Sequence, residues 1–479
     1  MLTSSIQQLR SGFRGHLLTP EQEGYDQART VFNAAINRRP ALIAQCTCTS
    51  DVVLAVQFAR EQQVVLSVRG TGHNVAGFAV CDDGIVIDLS PMKEVQVHAE
   101  ARMVRVEGGC NWGEVNDTLH PYGLAATGGF VSITGVGGLT LGGGLGWLVR
   151  KYGLALDNLL SAEVVLADGR VVTASPEENG DLFWGLRGGG GNFGVVTAFM
   201  FRAHPEANVL AGVTVHPEET ARETLRMWRE FERSAPEELN MGALLFHFAD
   251  DEHAPPPLRG KGVVGLGGVY AGPIDKGEQI LQPLRSFGPP LVDLFQPMPY
   301  REAQRMADFL WPPGLLSYWK SAYLRELSDE VIDVVVDFFA RVPSPQTVIV
   351  LEHNGNSAWD RVPEEATAFG SRSSPFNFVV TSAWRNPQDT ERNVTWTREF
   401  VQALQPYTGE GTYVNYLGGD EGVEGLRAAY GSKLMRLAEL KAKYDPANLF
   451  CMNQNIAPAA AKRPAVKETA YPEGYRPGI

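Results

Sequence analysis

Cysteine is scarce in this chain: there are five in 479 residues, Cys46 and Cys48 stand two apart, and no Cys-x-x-Cys pair occurs. This pattern excludes a disulfide framework and a zinc site, so the five read as plain thiols and no metal is expected. Long apolar runs are missing as well. The stretch 331–342 is interrupted by Asp333 and Asp337 and falls short of the roughly 20 residues that a membrane span needs. Basic clusters are equally absent. Lys and Arg number 42 against 55 Asp and Glu, a formal charge of −13, and no basic run with interleaved aromatics could track a phosphate backbone. Nucleic acid and membrane are therefore not expected as partners. The first 18 residues lack the apolar core of a secretory signal, which points to the cytoplasm. The chain has no internal repeat, and its tail from 459 onward, rich in Pro, Lys and Glu, is expected to be loosely ordered.

What the chain has in excess is glycine, 51 residues, with its clusters in the first 200. At this length two large units are expected. In the first, a helix over 50–63 feeds a strand at 64–68 that ends in Arg69-Gly-Thr-Gly-His-Asn74. Short strands follow at 85–89, 95–98 and 103–107, then a helix near 111–120 and a strand pair at 162–167 and 171–174 turned by Asp168-Gly169. After His204-Pro205 amphipathic helices (218–233, 328–341, 389–404) alternate with apolar runs (263–270, 347–352, 376–384), the mark of a second, α/β unit. Toward the C-terminus a strand at 412–417 and one long helix over 425–443 are expected.

Three glycine-rich loops stand beside apolar runs: 69–74, the pair Gly135-Val-Gly-Gly138 and Gly142-Gly-Gly-Leu-Gly146, and Gly188-Gly-Gly-Gly191 leading through Asn192-Phe-Gly194 into 195–201. Glycine removes the Cβ that would keep a diphosphate from backbone N–H groups. Three such loops suggest one extended, phosphate-bearing cofactor, and tight turns without a ligand are the competing reading. No P-loop and no Gly-x-Gly-x-x-Gly opening a helix with an acidic residue about 20 positions on is present.

Together with Leu182-Phe-Trp-Gly-Leu-Arg-Gly188, Tyr413-Val-Asn-Tyr416, Lys441-Ala-Lys-Tyr-Asp-Pro-Ala-Asn-Leu-Phe450 and Asn453-Gln-Asn-Ile456, these segments resemble the vanillyl-alcohol-oxidase (PCMH-type) superfamily, berberine-bridge-enzyme-like branch. The resemblance implies an α+β fold: a two-part FAD-binding domain (1–205), an α/β substrate domain with an antiparallel sheet (206–410), and a C-terminal segment (411–479) returning to the FAD domain. It also implies that Arg69, Gly70, Thr71, Gly72, His73 and Asn74 wrap the FAD, with His73 bonded to the flavin. Gly135, Val136, Gly138, Gly142, Gly143, Gly146, Asn192, Gly194, Val196, Asn453 and Asn455 are the other cofactor-binding candidates. Where many relatives carry a second, cysteinyl tether this chain has Val131, so a single covalent link is expected, as in bacterial members of the type that oxidises hydroxynicotine.

By the same resemblance Tyr416 is the candidate catalytic base and Tyr152, beside Arg150 and Lys151, the second. A phenol with a usual pKa near 10 would need a neighbouring cation, or hydrogen bonds to its phenolate, to serve. Trp319-Lys320 and Glu352-His353-Asn354 are candidates for the substrate wall, and Val136 for leaving dioxygen a path. The expected activity is an FAD-dependent oxidase acting on an alcohol or amine carbon of a small molecule, with dioxygen reduced to hydrogen peroxide. Alternatives are an oxidative cyclase, desaturase or dehydrogenase on the same scaffold, or a flavin carrier without turnover.

Overall fold

The computed structural model describes residues 2–206, 208–252 and 256–459. The tail expected to be loosely ordered lies, beyond Ala459, outside the described residues. Three sheets organise the chain. The first runs His16–Leu18, Leu42–Gln45, Ile85–Asp88, Leu66–Arg69, its last three strands parallel. Parallel pairing here needs a crossover, and helix Thr49–Gln62 provides it, burying Val52, Ala55, Val56 and Ala59 against the strands. The second sheet is antiparallel, in the order Val95–His98, Met103–Glu107, Val195–Arg202, Leu159–Val165, Val171–Ala174.

The third sheet has eight antiparallel strands, with Gly262–Tyr270, Leu239–His247, Val348–His353 and Phe376–Trp384 at its centre. Its two faces are separated by the period-2 alternation of the strands. Leu245, Ile349, Leu351, Phe378 and Val380 pack under helices Ala221–Glu232, Asp329–Phe339 and Thr390–Leu404. Leu244, Val350 and Val379 face the opposite way. The helices form where apolar residues recur at helical spacing. In Asp329–Phe339 Val331, Ile332, Val335, Val336 and Phe339 are buried, and the Ser328 side chain accepts the Val331 N–H as N-cap.

After 411 the chain returns to the second sheet's core, where Val414, Leu426, Tyr430, Leu437 and Ile456 join Trp112, Phe199 and Phe201. Two expectations fail in this segment. The strand expected at 412–417 is a single 3-10 turn, Val414–Tyr416. Its polar side chains replace a ladder: Tyr413 Oη accepts the Gly144 N–H at 2.9 Å, and Asn415 Nδ2 donates to the Leu139 carbonyl at 3.0 Å. The long helix over 425–443 is two helices, Gly422–Tyr430 and Leu434–Tyr444, because the chain turns at Gly431 with φ +52°, a conformation closed to most side chains. Among the described residues no helix is long and apolar enough to cross a membrane.

Candidate active site

One large cavity lies between the glycine loops and the outer face of the eight-stranded sheet. It holds about 2210 Å³ of space free of protein atoms, its mouth included. On the glycine side it is lined by Gly70, Thr71, Gly72, His73, Asn74, Gly135, Gly138, Gly142, Asn192, Gly194, Val196 and Asn453. The loop carrying His73 leaves the end of strand Leu66–Arg69 and is held by the Phe32 N–H, which donates to the Gly72 carbonyl at 3.0 Å. The imidazole stacks on the Phe32 ring, centroids 4.3 Å apart and planes 15° apart. Enclosure in protein pushes its pKa down to about 4, so the ring is neutral at pH 7, and its Nε2 has no hydrogen-bond partner.

Thr71 Oγ1, Tyr430 Oη, Asn453 Oδ1 and Asn455 Oδ1 are likewise buried without partners. Buried polar atoms are normally paired, and a cluster of orphans at one cavity calls for a polar ligand. A methyl group at Gly138 or Gly191 would meet no protein atom within 4 Å, so backbone is open there to close approach. These donors, acceptors and bare backbone fit an FAD, which Gly70, Gly72, His73 and the 135–142 and 190–194 segments could hold.

Five expected cofactor contacts do not line this cavity. Arg69 turns away, donating to the Ala28 carbonyl with Asp88 4.0 Å off. Asn455 is orphaned beside the cavity but outside its wall. Gly143 packs on Phe369 and Tyr413. At Gly146 a methyl group would lie 1.6 Å from the Gly128 carbonyl oxygen, so glycine is required there for chain crossing. Val136 is fully buried in the core with Trp112 and Phe199 and does not line the cavity.

The opposite wall comes from the sheet. Strand alternation turns Val350 and Glu352 inward, with Leu244, Val379 and Thr381 from the neighbouring strands. Trp319 and Glu352 line the cavity; Lys320, His353 and Asn354 do not. Lys320 pairs with Asp420 at 2.9 Å and Glu421 at 2.6 Å, and His353 joins the buried pair Arg150–Glu232 at 2.9 Å from the carboxylate. Glu352 Oε2 accepts from Asn377 Nδ2 at 2.7 Å and Oε1 from the Tyr416 hydroxyl at 3.1 Å. Burial pushes this carboxyl up to about 7, although both hydrogen bonds oppose the shift.

The neighbour of Tyr416 is thus a carboxylate, which supplies neither the cation nor the phenolate hydrogen bond that a basic tyrosine would need. Burial first, and the Glu352 charge second, push its phenol well above the usual value. Tyr152 is not at the cavity: its hydroxyl donates to Glu206 and its ring stacks on His204 at 3.7 Å, so it belongs to the packing between the sheets. Its phenol is also pushed up, by burial and by Glu206. Val131 lines the cavity, and Cys81 and Cys110 are buried elsewhere.

Two family models match the chain, an FAD binding domain over residues 40–175 and a berberine and berberine-like domain over 412–457. An FAD-linked oxidoreductase of Dictyostelium discoideum is 31% identical over 461 residues, covering 95% of this chain and 97% of that one. Among solved structures, 6-hydroxy-D-nicotine oxidase from Arthrobacter nicotinovorans superposes with a TM-score of 0.84 at 26% identity, covering 93% of this chain and 98% of that one. A glucooligosaccharide oxidase from Acremonium strictum, described with a 6-S-cysteinyl, 8α-N1-histidyl FAD, does so with 0.84 at 26%, covering 95% and 100%. With the glycine cradle and its orphaned polar groups, these likenesses identify the chain as an FAD-dependent oxidoreductase that belongs to the berberine-bridge-enzyme-like family of the PCMH-type FAD oxidases.

Proposed function

We propose that the chain is an oxidase that takes a hydride from an alcohol or amine carbon of a small organic substrate and passes the electrons to dioxygen, giving hydrogen peroxide. The observation that carries this reading is the Tyr416–Glu352 couple, which faces the glycine cradle across one cavity. FAD, when bound, supplies the hydride acceptor. The chain supplies the proton acceptor: as the C–H carbon gives up its hydride, the substrate O–H or N–H proton passes to the Glu352 carboxylate, directly or through the Tyr416 hydroxyl. Glu352 takes the part first given to Tyr416, because a carboxyl with a pKa of about 7 is ionised half the time at neutral pH whereas the phenol stays protonated. Tyr416 keeps the substrate heteroatom beside that carboxylate. Asn377 holds the other carboxylate oxygen in place.

His73 is the proposed tether. Its neutral ring and unpaired Nε2 are what attack on a flavin methyl carbon requires, and Val131 offers no sulfur for a second bond. Acid precipitation of the purified protein is expected to leave the yellow colour in the pellet, and in His73→Ala to release it to the supernatant. Colour released from the unaltered protein would remove the tether and keep the cradle. Peroxide formation coupled to flavin bleaching tests the oxidase reading.

A further inference from the structure

The sheet-side wall of the cavity is mostly apolar, and several of its polar groups are engaged within the protein. Asn240 Nδ2 donates to the Gly146 carbonyl at 2.9 Å. Thr381 Oγ1 accepts from Trp311 Nε1 at 3.0 Å and donates to the Val348 carbonyl at 3.0 Å. Trp147 Nε1 donates to the Phe130 carbonyl at 3.0 Å. The Trp311 and Trp147 indoles are thus fixed by their N–H groups while their rings remain part of the wall, beside Leu244, Val350 and Val379. Among the described residues no Lys or Arg lines the cavity, and Glu352 is the one carboxylate there. The Glu352–Tyr416 couple is therefore the polar head of an otherwise greasy, ring-faced chamber.

Resting on the oxidase reading above, we infer that the substrate is a ring-bearing apolar molecule without negative charge, with one oxidisable C–OH or C–NH group directed at Glu352, and that Trp311 selects it. An oligosaccharide would bring many hydroxyls to a mostly apolar wall whose polar groups are few, and each hydroxyl left dry weakens binding. An anionic substrate would meet Glu352 with no cation to offset the repulsion. A flat apolar ring loses nothing on entry and gains the Trp311 face.

The test uses the holoenzyme and four matched compounds: 1-phenylethanol, 1-phenylethylamine, mandelate and cellobiose. Anaerobic flavin bleaching gives kcat/KM for each, and indole, which is not oxidised, probes binding through its shift of the flavin spectrum. One or both of the uncharged aryl alcohol and the aryl amine are expected to exceed mandelate and cellobiose by at least about 100-fold. Trp311→Ala is expected to lower the aryl kcat/KM about 10-fold through KM. Trp311→Phe, which keeps a ring and guards against loss of folding, should recover most of it. Preference for cellobiose or mandelate would overturn the inference and leave the oxidase reading standing. Bleaching by none, with an indole shift that Trp311→Ala removes, would uphold the site's chemistry and overturn the oxidase reading. Absence of both bleaching and shift would overturn the inference.

Discussion

Glu352→Gln lowers kcat by about 10² to 10⁴-fold and leaves the flavin attached, the range over which a positioned general base contributes. The substitution keeps the size of the side chain, an oxygen for Asn377 or Tyr416, and the inward direction set by the strand. It removes the group that ionises. In the unaltered enzyme kcat/KM rises with pH until the carboxyl has lost its proton and levels off above about 7. In the Gln variant that limb disappears. A variant that keeps the limb would return the proton to another group. The same shift has a thermodynamic side. The folded carboxyl holds its proton between its ordinary value of 4.5 and about 7, where the unfolded one has lost it, so its contribution to stability falls as pH rises through that window.

Lys441→Met destabilises the fold by about 3–5 kcal/mol, the cost of stripping one partner from a buried ion pair. Lys441 and Asp445 are both fully buried and 2.6 Å apart. The ammonium also donates to the Asn192 carbonyl at 2.7 Å and the Phe450 carbonyl at 2.9 Å, while Asp445 accepts the Leu449 and Phe450 N–H groups, each at 2.8 Å. Methionine matches the stem and leaves the buried carboxylate without its counter-ion and the Asn192 carbonyl without the ammonium. Urea unfolding followed by tryptophan fluorescence measures the loss, and the Asp445→Asn background should reduce it, since the orphaned charge is then absent. An unchanged midpoint would mean that water reaches the pair.

The glycine loops and the His73 segment were legible because they are local: bare backbone beside a strand announces itself in consecutive residues. Strands 95–98, 103–107 and 376–384 were legible from their apolar runs and coincide with the observed ones. Tyr416 was found by resemblance, but the character of its environment was not, because Glu352 lies 64 residues earlier on a strand that only the sheet brings near. Lys320 and His353 were misplaced for a simpler reason: adjacent residues on a strand point to opposite faces, and no short motif tells which face looks inward. Phe32, Asn240, Trp311 and Thr381 carried no signal, since each is one residue on a separate element and their meeting is a property of the packed chain.

The clamp from Lys441 to Asn192 joins positions 249 residues apart, and Asn453 reaches back to the Gly191 carbonyl across 262. On the ribosome the glycine loops therefore emerge early, and the contacts of the third loop with Lys441 and Asn453 form only once nearly the whole chain has been made. A nascent chain stalled before residue 441 would have its glycine loops without these C-terminal contacts.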